Sequence, residues 1–201
     1  MHLFRFFTHY KDRNFKLNIE DEKTIGDVLK SFQIYCDEND AAVIGIKINE
    51  NLVTADNFDD VKTQELNDST KFEFNIITKA NISESFQKLS ELFTELATRM
   101  EQIPVDLQTG NENNARIAIK NLADNIDDFC HIARLATLFQ EYKSIEIDKK
   151  PFSEFFNDFA PILKDFEEAL KNNDTVMIGD LAEYEFPPRL NAIAKTLQEL
   201  K

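Results

Sequence analysis

The stretch that decides the fold runs from Thr70 to Met100, TKFEFNIITKANISESFQKLSELFTELATRM. In its first nine residues Phe72, Phe74 and Ile76 alternate with polar side chains, and a period of two is typical of a half-buried strand. From Asn81 the apolar residues recur every three or four positions, which is typical of one face of a helix. This change of period separates a sheet-forming part from a helical part and predicts an α+β chain.

The residues upstream of this stretch predict a small sheet with one helix. Residues 2–10 and 15–19 alternate in a strand-like way on either side of the turn KDRN, as the two strands of a hairpin do. Residues 25–36 have the helical period, and Thr24 precedes them as a candidate N-cap. A buried strand is expected at Val43–Ile48, and the turn NEN leads from it into a short pairing segment.

This order of elements, with a hairpin followed by one helix across the sheet, resembles the ubiquitin-like β-grasp fold over residues 1–78. The polar segment at residues 56–69, DNFDDVKTQELNDS, lies where that fold usually has an irregular crossing. A conjugated modifier of this kind ends in a free diglycine, whereas NIITKANIS at residues 75–83 continues directly into a helix. The resemblance therefore implies a β-grasp domain over residues 1–78 that is not a covalent tag.

The remaining part, residues 79–201, predicts a bundle of four or five helices. The first helix is expected to have Asn81 as its N-cap and to end near Pro104, because proline has no amide hydrogen and disfavours helical geometry in the residue before it. A polar loop follows, and a second helix is expected over residues 113–142.

A third helix is expected from PFSEFFNDFAPILKDF, residues 151–166, with KNND at residues 171–174 as its end. Pro161 lies inside it and predicts either a kink or a new helix that begins at Ala160. Its phenylalanines cover more than one helix face. Some of them are therefore expected to contact a second surface, and we favour the N-terminal domain over a partner protein.

The last helical tract contains two adjacent prolines, Pro187 and Pro188. Two structures fit this pattern. In the first, the prolines occupy the first turn of a new helix, where a missing amide hydrogen costs nothing, and we favour this one. In the second, one helix continues through a kink and its freed carbonyl groups face a groove or solvent.

The acidic segment before these prolines contains Asp180, Leu181, Glu183, Tyr184 and Glu185. It is similar to DLxEYE segments near the C-termini of poorly characterised helical proteins of flagellated bacteria. This resemblance implies a bacterial cytoplasmic accessory protein that is connected with motility. It assigns no role to an individual residue.

The composition bounds the partners and the compartment. A formal charge of -14 and the lack of a basic cluster argue against nucleic acid and against an anionic membrane surface. The N-terminus has no secretory-signal pattern, so a cytoplasmic protein is expected. Cys36 and Cys130 have no ligand-like spacing and are expected to be two reduced, buried thiols.

The sequence contains no strong signature of a catalytic, cofactor or metal site. The four glycines are isolated, which excludes a glycine-rich phosphate loop. His131 lies beside Asp127, Asp128 and Cys130, but a lone motif of this kind more often belongs to a solvated helix face than to a metal centre. We therefore expect a protein without catalytic residues, cofactor or metal.

The aromatic excess and the lack of catalytic motifs predict a protein-protein interaction module, for example an adapter or an export or assembly chaperone. An enzyme or ligand-binding protein with a carboxylate site at the domain interface is the alternative, and self-association into a homo-oligomer is a third possibility. The residues predicted to line a groove for the protein partner are Phe152, Phe155, Phe156, Tyr184 and Phe186.

Overall fold

The computed structural model describes the backbone of residues 2–5 and 16–19 and the chain from 21 to 200, with side chains from residue 21 onward except at Glu112. The chain divides into two compact units, Met1–Asn81 and Ile82–Lys201. We call them the sheet unit and the helical unit. Their contents give a mixed α+β chain, as the change of period predicts.

The sheet unit contains five strands among its described residues. β1 (His2–Arg5) and β2 (Lys16–Ile19) pair antiparallel, which confirms the predicted hairpin. The turn KDRN and the side chains of both strands lie outside the described residues. β3 (Ala41–Ile48), β4 (Asn51–Leu52) and β5 (Phe72–Thr78) form an antiparallel sheet in the order β4-β3-β5.

Helix α1 (Ile25–Glu38) begins where its local sequence predicts. The Asp27 amide donates to Thr24 Oγ1 at 3.2 Å, and the Thr24 amide donates to Asp27 Oδ2 at 2.8 Å, so the two residues form a capping box. The hydrogen bonds that the Thr24 amide and hydroxyl donate to the Asp27 carboxylate lower the pKa of this carboxyl. The apolar face of α1 packs on the sheet, and the resulting core includes Val28, Phe32, Cys36, Ile48, Phe72, Phe74 and Ile76.

The crossing segment of the sheet unit contains one short helix, α2 (Phe58–Lys62). Backbone hydrogen bonds attach it to the start of α1: the Ile25 amide donates to the Gln64 carbonyl, and the Leu66 amide donates to the Lys23 carbonyl, both at 2.9 Å. These hydrogen bonds therefore hold the crossing segment against the start of α1.

Helix α3 (Lys79–Gln108) begins three residues earlier than the sequence predicts. Thr78 precedes it and takes the capping position: the Asn81 amide donates to Thr78 Oγ1 at 3.1 Å, while the Thr78 amide donates to Asn81 Oδ1 at 3.2 Å. The prediction of Asn81 as N-cap was wrong, because the helix begins one turn earlier and Asn81 is the residue whose amide Thr78 caps.

The predicted end of α3 at Pro104 was also wrong, since the helix continues through this residue to Gln108. An interior proline costs about 3 kcal/mol by local rules. Here burial offsets that cost, because Met100 and Ile103 are fully buried before it. A Cβ built on Gly179 would lie 3.6 Å from Pro104 Cβ and Cγ, so the ring also packs closely against a later helix.

Helix α4 (Glu112–Ala136) ends six residues before the predicted limit at Tyr142. A 3-10 turn at Gln140–Tyr142 follows, and then a hairpin of β6 (Glu146–Ile147) and β7 (Lys150–Pro151) that the sequence analysis did not predict. The early end of α4 has a packing cause. The buried Tyr142 ring contacts Phe86 edge-on, with the ring centroids 5.5 Å apart.

Helix α5 (Phe152–Asn172) is continuous across Pro161, so the predicted new start at Ala160 does not occur. Asn173 follows it in the left-handed conformation, with φ of 52°, which confirms KNND as the end of the helix. None of the helices within residues 21–200 combines the length and the apolar character that crossing a membrane requires.

The closing tract combines features of both proposed structures. α6 (Thr175–Asp180), a π turn (Leu181–Glu185) and α7 (Phe186–Glu199) follow each other with no residue between them. The Phe186 amide bonds the Leu181 carbonyl five residues earlier, as in a π helix. Both prolines lie in the first turn of α7, while the helical backbone continues through the wide π turn that precedes it.

Candidate functional site

The structure divides the five predicted partner-binding residues into three groups. Phe155 and Phe186 are 6% and 0% exposed and belong to the core of the helical unit. Phe152 and Phe156 are half-buried, with ring centroids 4.7 Å apart. Tyr184 is 63% exposed on the π turn, where its hydrogen bond to Glu183 raises the pKa of its hydroxyl.

A chain of ring contacts explains the aromatic excess of α5. The Phe159 ring contacts Phe186 at 5.7 Å and Phe155 at 6.1 Å between centroids, and Phe129 on α4 contacts Phe152 at 5.6 Å and Phe156 at 5.9 Å. Helices of the same unit therefore cover most of these rings. The exposed parts of Phe152 and Phe156 lie at the end of this chain of contacts.

An open groove of about 580 Å³ lies beside Phe152. Its walls come from the last turns of α4, the segment before the β6–β7 hairpin and the first turn of α5. We call it the α4–α5 groove. Its apolar surface includes Ala133, Ile145 and Phe152, and its polar surface includes Arg134, Lys143, Ser144 and Ser153.

Two cations of this groove have no charged partner. Within residues 21–200, neither Arg134 nor Lys143 forms an ion pair, whereas the nearby Arg189 lies 2.7 Å from the Glu185 carboxylate. The Arg134 guanidinium makes one long contact of 3.4 Å with the ring nitrogen Nδ1 of His131. Glu146 also lines the groove, but among the described residues it pairs with neither of the two cations. The two cations are therefore available to an anionic group from outside the chain.

The start of α5 forms one wall of the groove. Pro151 precedes the helix and gives no side-chain cap, so the first amide groups lack the acceptor that serine or aspartate would provide. The Phe152 amide donates to the Ile145 carbonyl at 3.2 Å, which joins the helix to the groove wall. Ser153 lies in the same first turn and lines the groove.

Cys130 lines the groove and is exposed, so the prediction of two buried thiols was wrong for this residue, although both cysteines are free. Partial burial of the sulfur and the neighbouring Asp127 carboxylate raise the pKa of the Cys130 thiol. Cys36 is buried in the sheet unit, where desolvation and Asp37 raise its pKa to about 11. Cys130 is thus a neutral thiol at the groove surface.

The other residues that drew attention in the sequence lie outside this groove. Asp180 and Glu183 are exposed, and Glu185 is paired with Arg189. His131 is exposed on α4. Among the described residues, no three histidine, cysteine, aspartate or glutamate side chains come together as metal ligands would. Sequence reasoning missed Arg134, Lys143 and Cys130 as groove residues.

Comparisons with known proteins give a family without a known activity. The model of a domain of unknown function, DUF8042, matches residues 84–196, and the model of the TP0873 N-terminal domain matches residues 11–78. An uncharacterized protein of Treponema pallidum (strain Nichols) is 23% identical over 170 residues, which cover 85% of each chain. No solved structure matches this chain. The two matched ranges lie in different units.

Proposed function

The chain belongs to the DUF8042 family, and from that premise we propose that it binds a segment of another protein in the α4–α5 groove, as an adapter or chaperone rather than as an enzyme. The observation that carries this proposal is the groove itself, where the half-buried Phe152 lies beside Arg134 and Lys143, two cations without an ion pair in the described part of the chain. Aromatic and arginine side chains in one recess are the types of residue that contribute most to binding free energy.

The size and openness of the groove support a bound segment. Its volume of about 580 Å³ lies in the range of ligand sites, which is roughly 300 to 1,000 Å³. Cys130, Lys143, Ser144 and Ser153 are all exposed, so the groove is open on its solvent side. A bound chain could therefore enter the groove and leave it again without unfolding the helical unit.

Two finer assignments belong to the same proposal. The hairpin, helix α1 and the antiparallel strands of the sheet unit support a β-grasp assignment. A role in a bacterial motility assembly rests on the resemblance of the acidic segment Asp180–Glu185 alone. Neither assignment changes which residues line the groove.

The proposal is tested by capture from a lysate of the native host with the full chain and two variants. Phe152→Glu introduces a charge into the groove, and Val176→Glu introduces the same charge at a side chain that is 72% exposed outside it. We expect the wild type and Val176→Glu to retain the same protein, identified by mass spectrometry, and Phe152→Glu to lose it while its melting curve stays cooperative.

Two results would contradict the proposal. Capture of the same proteins by all three chains would place the binding surface elsewhere. Turnover of a small substrate that persists in Phe152→Glu would favour an enzyme over a binding module.

A further inference from the structure

We propose that the occupant of the α4–α5 groove is the C-terminal end of a partner chain. Its terminal carboxylate would bind Arg134 and Lys143, and an apolar last side chain would pack on Ala133, Ile145 and Phe152. This inference rests on the proposed function and deepens it, because it names the chemistry of the bound segment.

The charges of the molecule favour a ligand with a single negative charge. The chain carries 37 acidic and 23 basic side chains, so its overall field repels a segment with many carboxylates. Arg134 and Lys143 are nonetheless unpaired within residues 21–200, and both face one recess. A guanidinium binds a carboxylate through two parallel hydrogen bonds, which makes the pair both strong and oriented.

The arrangement of donors and apolar surface fits a chain end better than an internal acidic residue. In a terminal residue, the carboxylate and the side chain are attached to the same carbon atom, so both fit one short recess. The hydroxyl groups of Ser144 and Ser153 line the polar side of that recess, together with the uncapped start of α5. Backbone amide groups capture terminal carboxylates in other recognition modules.

The open side of the groove distinguishes a protein segment from a small carboxylic acid. Sites for small molecules usually enclose about 70 to 90% of the ligand surface. Here the polar lining residues are exposed, so the groove covers one end of a ligand and leaves the rest in solvent. A polypeptide uses this geometry, since the residues before its last one leave through the open side.

The inference is tested by fluorescence anisotropy with labelled hexapeptides that end in leucine, phenylalanine or valine. Each peptide is prepared as the free acid and as the C-terminal amide. We expect at least one free acid to bind the full-length protein at least tenfold more tightly than its amide. Arg134→Ala and Lys143→Ala should each weaken that binding tenfold or more, because each removes one cation from the carboxylate site.

Two controls keep the result specific to the groove. Arg116→Ala removes an exposed cation from the same helix α4, outside the groove, and should leave the affinity unchanged. Cys130 lines the groove and Cys36 is buried, so the rate at which a maleimide labels Cys130 reports occupancy. The free-acid peptide should slow this labelling, whereas its amide and hexanoate should not at equal concentration.

Three outcomes overturn the inference. Equal binding of acid and amide would show that the carboxylate is not recognised, and equal protection by hexanoate would assign the groove to small carboxylic acids. A lack of binding by every free acid up to about 1 mM would also exclude a chain end. If capture from lysate still depends on Phe152, the proposed function survives each of these results, so the two failures can be told apart.

Discussion

The two units pack aromatic rings in different ways. In the sheet unit, Phe32 and Phe74 stack with centroids 3.8 Å apart, and both are at most 1% exposed. In the helical unit the ring contacts begin at the buried Phe186 and end at Phe152, which remains partly exposed at the groove. A closed cluster contributes its burial to folding alone. A chain of rings that ends at the surface retains apolar area for a second molecule.

The largest predicted effect is a difference in unfolding free energy between a substitution in the closed cluster of the sheet unit and one at the exposed end of the ring contacts in the helical unit. Phe74→Ala removes a fully buried ring and should cost about 3–5 kcal/mol of unfolding free energy, since the stacked Phe32 loses its partner and a cavity remains. Phe152→Ala should cost about 1 kcal/mol, because part of that ring is already in water.

Urea unfolding followed by circular dichroism measures both values. Each variant is compared with the wild type over the transition of the unit that carries the substitution, because two units need not unfold together. Similar losses in the two variants would mean that Phe152 is as important to folding as Phe74. The distinction between a closed and an open aromatic core would then be wrong.

A second prediction compares two glycines, one in each unit, and expects opposite signs. A Cβ at Gly26 would lie 2.8 Å from the carbonyl oxygen of Lys62, which is backbone, so Gly26→Ala should destabilise the sheet unit by about 1–3 kcal/mol. At Gly179 the nearest atoms are those of Pro104 at 3.6 Å, an ordinary contact. Gly179→Ala should therefore stabilise the helical unit by about 0.5–1 kcal/mol, because alanine is the better helix former.

Thermal melts of the two single variants are sufficient for this test. Destabilisation by Gly179→Ala would show that α6 packs on Pro104 too closely to accept one methyl group. A neutral result for Gly26→Ala would show that the crossing segment moves away easily, in contrast to the two backbone hydrogen bonds that attach it to α1.

The elements that sequence reasoning predicted correctly are those whose cause is local. The N-cap of α1 at Thr24 and the alternation of Phe72 with Glu73 need no distant residue. Pro104 was misjudged because local rules count its lost hydrogen bond but not the packing of its ring against Gly179. Tertiary packing thus decided where α3 ends.

The groove could not be predicted because it depends on a hairpin without the usual turn signal. Asp148 and Lys149 connect β6 to β7 with positive φ values of 51° and 63°, a conformation that commonly contains asparagine and glycine. Sequence rules expect glycine rather than lysine at this position, so they do not predict the turn. This turn returns Pro151 and Phe152 to Ile145, so the start of α5 becomes a wall of the groove through a turn that sequence rules do not predict.

A third prediction uses the two thiols to compare the units as a function of pH. Burial holds the pKa of Cys36 at about 11, above its ordinary value, so its neutral form is favoured in the folded state. This contribution to stability is fully present below the ordinary thiol pKa, about 8.5, and is lost as pH rises toward 11. We expect the sheet unit of the wild type to lose stability over this interval.

Cys36→Val should reduce that loss, because valine has no proton to release. Urea unfolding at several pH values between 7 and 11 measures it, with Cys130→Val as the control in the helical unit. The thiol of Cys130 is exposed, so its removal should change the pH profile less. Equal profiles for the two variants would contradict the difference in burial.

The smallest predicted effect compares the two tight hairpins, which share one turn geometry. Asn49 and Glu50 connect β3 to β4 with φ values of 49° and 68°, the same pattern as Asp148 and Lys149. A residue other than glycine in this region is strained by roughly 1 kcal/mol or more, and glycine removes the strain but adds freedom to the unfolded chain. Glu50→Gly and Lys149→Gly should each therefore stabilise their unit by about 0.5 kcal/mol.

Neither variant is expected to change the groove. Lys149 lies in the hairpin that continues from the groove wall, so a turn that merely relaxes should leave the rate of maleimide labelling at Cys130 unchanged. A changed rate in Lys149→Gly, with Glu50→Gly as the unaffected control, would mean that the strained turn holds the wall in place. The hairpin would then set the width of the groove as well as its position. The exposed groove at the end of the ring contacts, which the sheet unit lacks among its described residues, would depend on the turn conformation of Lys149.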